Sequence, residues 1–159
     1  AFLAAAVVGF FEDTIAQITV LAVFLPVVAG QSGNTGSQAL AVTMRGLALR
    51  EVRPRHWFKL ARKEAMVGLL NGIAVALTTS IIVFIWTGSF GLPIVIGISM
   101  ILSMVIAGLS GAIIPIILQS IGQDPAQSSS IILTTVTDVF GFLSFLGLAS
   151  ALATILGII

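Results

Sequence analysis

Pro26-Val-Val-Ala-Gly30-Gln-Ser-Gly33-Asn34-Thr35-Gly36-Ser37-Gln38-Ala39 interrupts a chain that is otherwise overwhelmingly apolar. The stretch has glycines at positions 30, 33 and 36, is interleaved with amides and hydroxyls, and has no charge. Glycine permits close backbone approach and tolerates unwinding, so the segment is expected to break a hydrophobic helix. Asn, Gln, Ser and Thr offer oxygens without the desolvation cost of a fixed charge. Lipid tolerates irregular polar backbone only where protein or water covers it. The reading that follows is a pore, since the glycine density beside the amides exceeds what helix packing alone needs.

The surroundings support a membrane setting. Hydrophobic residues make up 58% of the chain and charged residues 8%, with a mean hydropathy of +1.18, against about 25% charged in an ordinary globular protein. There is no cysteine, which excludes disulfides and thiolate metal ligation, and the single histidine, His56, cannot form a zinc site alone. All seven Lys and Arg side chains fall between Arg45 and Lys63. By the positive-inside rule this loop is cytoplasmic, which places Glu12-Asp13 on the opposite side. A juxtamembrane basic cluster is the ordinary topogenic signal, so no nucleic-acid partner is inferred.

Run length and punctuation predict an all-α polytopic membrane helix bundle of five helical segments. The first ends at Phe11 and, at about 1.5 Å per residue, covers only half a bilayer core. It is read as the end of a span that starts upstream, not as a signal peptide. The second follows Glu12-Asp13-Thr14, read as a turn with a cap, and runs to about Leu49 through the polar break. The third runs from Trp57 to Trp86, with one Trp at each interface. After the turn Thr87-Gly88-Ser89-Phe90-Gly91, the fourth begins near Pro93 and ends near Gln119, with Pro115 expected to kink it. Asp124-Pro125 is an N-cap followed by proline at N1, opening a fifth helix to the C-terminus. Parity then puts the 45–63 loop inside and Ile159 outside.

Between Pro125 and Ile159 the only charge is Asp138, in Thr134-Thr135-Val136-Thr137-Asp138. Intramembrane acids cost about 2.5–3.5 kcal/mol on insertion scales and usually face water or an opposite charge. No Lys or Arg of the chain is expected at that depth. Should two copies meet on a two-fold axis near Asp138, two carboxylates about 7 Å apart in an effective dielectric of about 20 repel by about 2.4 kcal/mol, which favours a divalent cation between them. The ligand set is hard oxygen and suits Mg²⁺ or Ca²⁺. Mg²⁺ holds its waters tightly, so water-mediated contacts from Asn34, Ser37, Gln38, Thr134 and backbone carbonyls suffice.

Elsewhere Gly68-Leu-Leu-Asn71-Gly72 and Ala107–Ala112 read as helix-packing glue, and Glu64 as an electrostatic group at the start of the third helix. No nucleophile–base pair or phosphate loop is present, which argues against an enzyme. Two other readings stay open. One is a proton- or sodium-coupled secondary transporter with Asp138 as carrier and the broken helix as a gate. The other is a membrane scaffold whose polar residues only pack helices.

Together Pro26…Gly30…Gly33-Asn34-Thr35-Gly36…Gln38, the basic loop, Asp124-Pro125 and Thr137-Asp138-Val139…Gly141 resemble the MgtE family of magnesium channels and transporters. The resemblance covers essentially the whole chain and makes residues 1–159 a transmembrane ion-conducting domain of the cell membrane. It implies a homodimer whose second and fifth helices line a central pore, with Mg²⁺, and other divalent cations, as the transported ion. It makes Asp138 the main Mg²⁺ site and Pro26, Gly33, Thr35, Gly36, Ala41, Thr137 and Gly141 pore-lining. Family members often have Asn at the position of Ser37 and Thr at that of Ala41. Backbone oxygens of Gly30 and Thr134 are therefore expected to carry more of the coordination. The cytoplasmic sensing module and connecting helix usual in the family correspond to no segment of this sequence.

Overall fold

A computed structural model describes residues 1–52 and 56–156. The basic residues Arg53 and Arg55 and the C-terminal Ile159, used above to orient the chain, lie outside the described residues. Among the described residues the structure is all helical: α1 (Phe2–Phe10), α2 (Glu12–Gln17), α3 (Val20–Ala48), α4 (Trp57–Thr87), α5 (Gly91–Ser120) and α6 (Pro125–Leu152).

Local chemistry explains the best-defined ends. Asp124 is extended, its Oδ1 accepts from the Ala126 N–H at 2.9 Å, and Pro125 occupies N1, where no N–H is needed. α5 closes by bonds from Gly122 N–H to the Gln119 carbonyl and from Gln123 N–H to the Leu118 carbonyl. Gly122 has φ +76°, the left-handed geometry this closure demands. Asp124→Ala is expected to remove about 1 kcal/mol from the start of α6. Hydrogen exchange at the Ala126–Ser128 amides should then speed up several-fold, with the middle of α6 unchanged.

Three sequence expectations need correction. The segment expected to run from Thr14 to Leu49 is two helices, because Ile18 leaves helical geometry at φ −125°, ψ 71°. Glu12 and Asp13 are therefore not a turn. They sit in the first turn of α2, at the positive end of its dipole, with no side-chain cap bond. The expected break at Pro26–Gln38 is also absent, since α3 runs through it as one helix of 29 residues. Pro26 removes only the bond to the Ala22 carbonyl, near the start of the helix. Unwinding would free backbone groups that α3 otherwise satisfies itself. Glu64, finally, is not at the start of α4 but two turns in, and it is buried.

The helices α4, α5 and α6 are each long and apolar enough to cross a membrane. At about 1.5 Å per residue α3 also has the length, and its polar run accounts for its lower hydropathy. α5 is the central element. α4 packs along one side of it, α3 and α6 pack against it and against each other, and α1 lies on α6. The α4–α5 seam depends on glycine. A Cβ on Gly68 would sit 2.5 Å from the Met104 carbonyl oxygen, and one on Gly108 would sit 2.5 Å from that of Glu64. A core of Leu21, Phe24, Val28, Ile96, Met100, Phe145 and Leu146 fills the end near α2.

Candidate functional site

The sequence of α3 divides into two faces at helical spacing. Val28, Ser32, Gly36, Ala39 and Thr43 are buried against neighbouring helices. Pro26, Gly30, Asn34, Ser37, Gln38 and Ala41 are exposed, with Gly33 half-buried beside them. Since α3 is unbroken, these residues form one continuous exposed stripe about 22 Å long, with its polar side chains, Asn34, Ser37 and Gln38, gathered in the turn 34–38. It presents amides and a hydroxyl, and ends toward Arg45.

α6 meets α3 along Leu133, Thr137 and Gly141. A Cβ on Gly36 would contact Leu133 Cδ1 at 3.1 Å and Thr137 Cγ2 at 3.3 Å, while one on Gly141 would contact Ser32 Oγ at 3.5 Å. These pairs make the two helices antiparallel. With about 100° of rotation per residue, Thr134 and Asp138 turn away from the α6 seam in the same sense as Gly30, Gly33 and Ser37 turn away from the α3 seam. In an antiparallel pair the same sense leads to the same side. Asp138 therefore lies level with the Gly33–Gly36 turn, on the side of the pair that carries Ser37. It is half-buried, and among the described residues it has no ion-pair partner.

Each candidate from the sequence thus has a place. Asn34, Ser37, Gln38, Gly30, Pro26 and Ala41 share the exposed stripe of α3, and Thr134 and Asp138 share the adjoining face of α6. Thr35, Gly36, Thr137 and Gly141 are buried within the chain, the last three in the α3–α6 seam. The Gly30 and Thr134 carbonyls belong to uninterrupted helices. Thr134's also accepts from the Thr137 hydroxyl at 3.1 Å.

A cleft of about 610 Å³ adjoins the α3 stripe on its α4 side, where α3 and α4 barely touch. Gln31, Asn34, Thr35, Ser37, Gln38 and Ala41 of α3 line it opposite Asn71 of α4, across a floor that includes Met104. A smaller hollow of about 190 Å³ shares Thr35, Gln38 and Asn71 and reaches Lys63 and Glu64. Sequence reasoning took Asn71 for packing glue. Its neighbours Gly68 and Gly72 do pack against α5, while Asn71 itself lines the cleft. Glu64 and Asn71 are two turns apart on one helix face, a spacing that could have revealed the pair.

A family model described as a divalent cation transporter matches residues 25–148. The "Magnesium transporter MgtE" of Bacillus subtilis (strain 168) is 37% identical over 145 residues, covering 91% of this chain and 32% of that protein. The protein of the same name from Enterococcus faecalis is 33% identical over 146 residues, covering 92% and 32%. That from Thermus thermophilus is 37% identical over 142 residues, covering 89% and 31%. The chain spans about a third of the length of these curated relatives. The match takes in α4, α5, most of α3 and nearly all of α6, including the polar stripe and Asp138, and on it the chain belongs to the MgtE family, a family of transporters and not of enzymes.

Proposed function

We propose that this chain is the membrane part of a magnesium channel, working as a two-fold homodimer in the cell membrane with the Arg45–Lys63 loop on the cytoplasmic side. The α3 stripe and the Thr134–Asp138 face of α6 from both copies line the pore. A largely hydrated Mg²⁺ is held between two Asp138 carboxylates, and Asn34, Ser37, Gln38 and Thr134 receive hydrogen bonds from its waters. Two carboxylates match one divalent charge. Mg²⁺ gives up its waters reluctantly, so outer-shell recognition needs no dedicated protein cage.

The observation that carries this reading is the shared side of α3 and α6. The Asp138 carboxylate, without an ion-pair partner among the described residues, and the Ser37 hydroxyl stand on adjoining faces of α6 and α3, with Asn34 and Gln38 next to Ser37 toward α4, where lipid would not solvate them. The sodium- or proton-coupled carrier draws its gate from a broken helix, and α3 has no break. A packing scaffold would turn these side chains into seams, whereas Asn34, Ser37 and Gln38 are exposed.

Cobalt hexammine tests the hydrated-ion reading. Its ammines do not exchange and imitate the size and donor pattern of hydrated Mg²⁺. It should block Mg²⁺ uptake into proteoliposomes in a saturable way, and Asp138→Asn protein should lose the ability to bind it. Intact Mg²⁺ flux at saturating cobalt hexammine would contradict recognition through water.

A further inference from the structure

We propose that the hollow between α3 and α4 is a second cation site in each subunit, selective for a monovalent ion such as Na⁺ and built from Glu64, Thr35, Gln38 and Asn71. It is centred away from Asp138, since neither Asp138 nor Thr134 lines the hollow or the cleft that continues it, and Gln38 is the one residue that borders both sites.

The hydroxyls and the carboxylate point to a ligand. Of the buried hydroxyls, those of Ser32, Thr43, Ser99, Ser103 and Thr137 donate to backbone carbonyls of their own helices, while among the described residues those of Ser129, in the first turns of α6, and Thr35 do not. Thr35 is 6% exposed and makes no such bond among the described residues, although the same back-bond is open to any helical threonine. Its hydroxyl belongs to the wall of the hollow. Gln38 and Asn71 line the same space, and their amides likewise have no hydrogen-bond partner among the described residues. Glu64 completes the set. Its side chain is only 6% exposed, and Oε1 has a loose ion pair, at 3.5 Å, with Lys63 Nζ. A carboxylate, a hydroxyl and two amide oxygens around one small hollow are a hard-oxygen set with a single negative charge.

Charge decides the valence. The Lys63 side chain is 63% exposed, so its ammonium can swing into water and leave Glu64 to an incoming ion. A monovalent cation then replaces one positive charge with another. A divalent ion would meet one carboxylate only, which leaves the hollow with excess positive charge even when Lys63 has swung away. Lys63 is thus the resident competitor of the ion, and the Thr35–Gln38 turn connects its hollow to the same helix that carries the polar stripe.

The test is the thermal midpoint of the purified protein in detergent without Mg²⁺, titrated with NaCl against N-methylglucamine chloride at constant ionic strength. A saturable rise specific to Na⁺ is expected. Glu64→Gln and Thr35→Val should each weaken the apparent Na⁺ affinity at least tenfold, Lys63→Gln should tighten it several-fold, and Asp138→Asn should leave it unchanged. Lys63→Gln alters an exposed side chain, so it stays informative even if Glu64→Gln fails to fold. The proposal is overturned by the absence of a Na⁺-specific rise, by its survival in Glu64→Gln and Thr35→Val, or by Lys63→Gln having no effect. Loss of the rise in Asp138→Asn would assign Na⁺ to the pore site, and displacement of Na⁺ by Mg²⁺ in that variant would make the hollow a divalent site. Either result refutes the monovalent assignment while leaving Mg²⁺ conduction to be judged separately.

Discussion

Asp138→Asn is expected to reduce Mg²⁺ uptake to background while leaving a folded protein. The side chain keeps its size, so α6 loses little packing at a position that is only half-buried. In the proposed dimer the ion would lose both carboxylates of its site, one from each copy. A reduction of at least tenfold, equivalent to about 1.4 kcal/mol per decade, is the smallest effect compatible with a site that depends on charge. Asp138→Glu keeps the charge but shifts it along a longer arm, and should fall between the two. Uptake in proteoliposomes at equal protein, together with a thermal midpoint near that of the unaltered chain, checks this. Unaltered uptake by a well-folded Asp138→Asn protein would remove Asp138 from the pathway.

The second large effect concerns folding rather than transport. Gly68→Ala should destabilise the subunit by about 1–3 kcal/mol or more, because its new methyl meets a backbone carbonyl that cannot rotate away. The clash is with Met104 of α5, in the most extensive interface of the fold. Gly33→Ala should be neutral or stabilising by up to about 1 kcal/mol, since it fills open space in a helix interior. Thermal unfolding of both variants in detergent decides the ranking. Equal stability, or a larger loss at Gly33, would mean that the α4–α5 contact is not as close as described.

That ranking shows what sequence does and does not convey. Three glycines beside amides looked equivalent in the linear string, yet a Cβ on Gly36 would meet Leu133 and Thr137 while one on Gly30 or Gly33 would meet no neighbouring helix within 4 Å. Spacing reveals which residues share a face, but not which neighbour that face meets. Asp124-Pro125 and Gly122 were readable because capping is local chemistry, complete within a few residues. The ends of α4 were readable for a related reason, as apolar run length and flanking Trp mark an interface. The break at Ile18 had no such marker, since neither Gly nor Pro stands there.

Glycine and proline also misled where propensity met a membrane. In water each glycine weakens a helix interior by up to about 1 kcal/mol, and on that ground α3 was expected to break. Lipid reverses the balance, because an unwound turn would leave several backbone groups without partners. The polar stripe is consequently a regular helix face, and its regularity is what aligns Asn34, Ser37 and Gln38 with one another. Glu64 was misread for a different reason. Its place beside Lys63 suggested a charge at the positive start of the helix, but it lies two turns in and its burial is set by α5, where Gly108 lets the two backbones close over it.

The central claim is that two Asp138 carboxylates face each other across a two-fold axis with a hydrated ion between them. A structure of the protein in Mg²⁺, at a resolution that separates an ion from its waters, measures this directly. The account predicts one density on the axis, about 4 Å from the nearest Asp138 oxygens, the distance spanned when an Mg–water bond of about 2.1 Å and a hydrogen bond of about 2.7 Å meet at a bend at the water. Asp138 side chains turned to lipid, or an axis lined by other residues with no ion at this level, would contradict it.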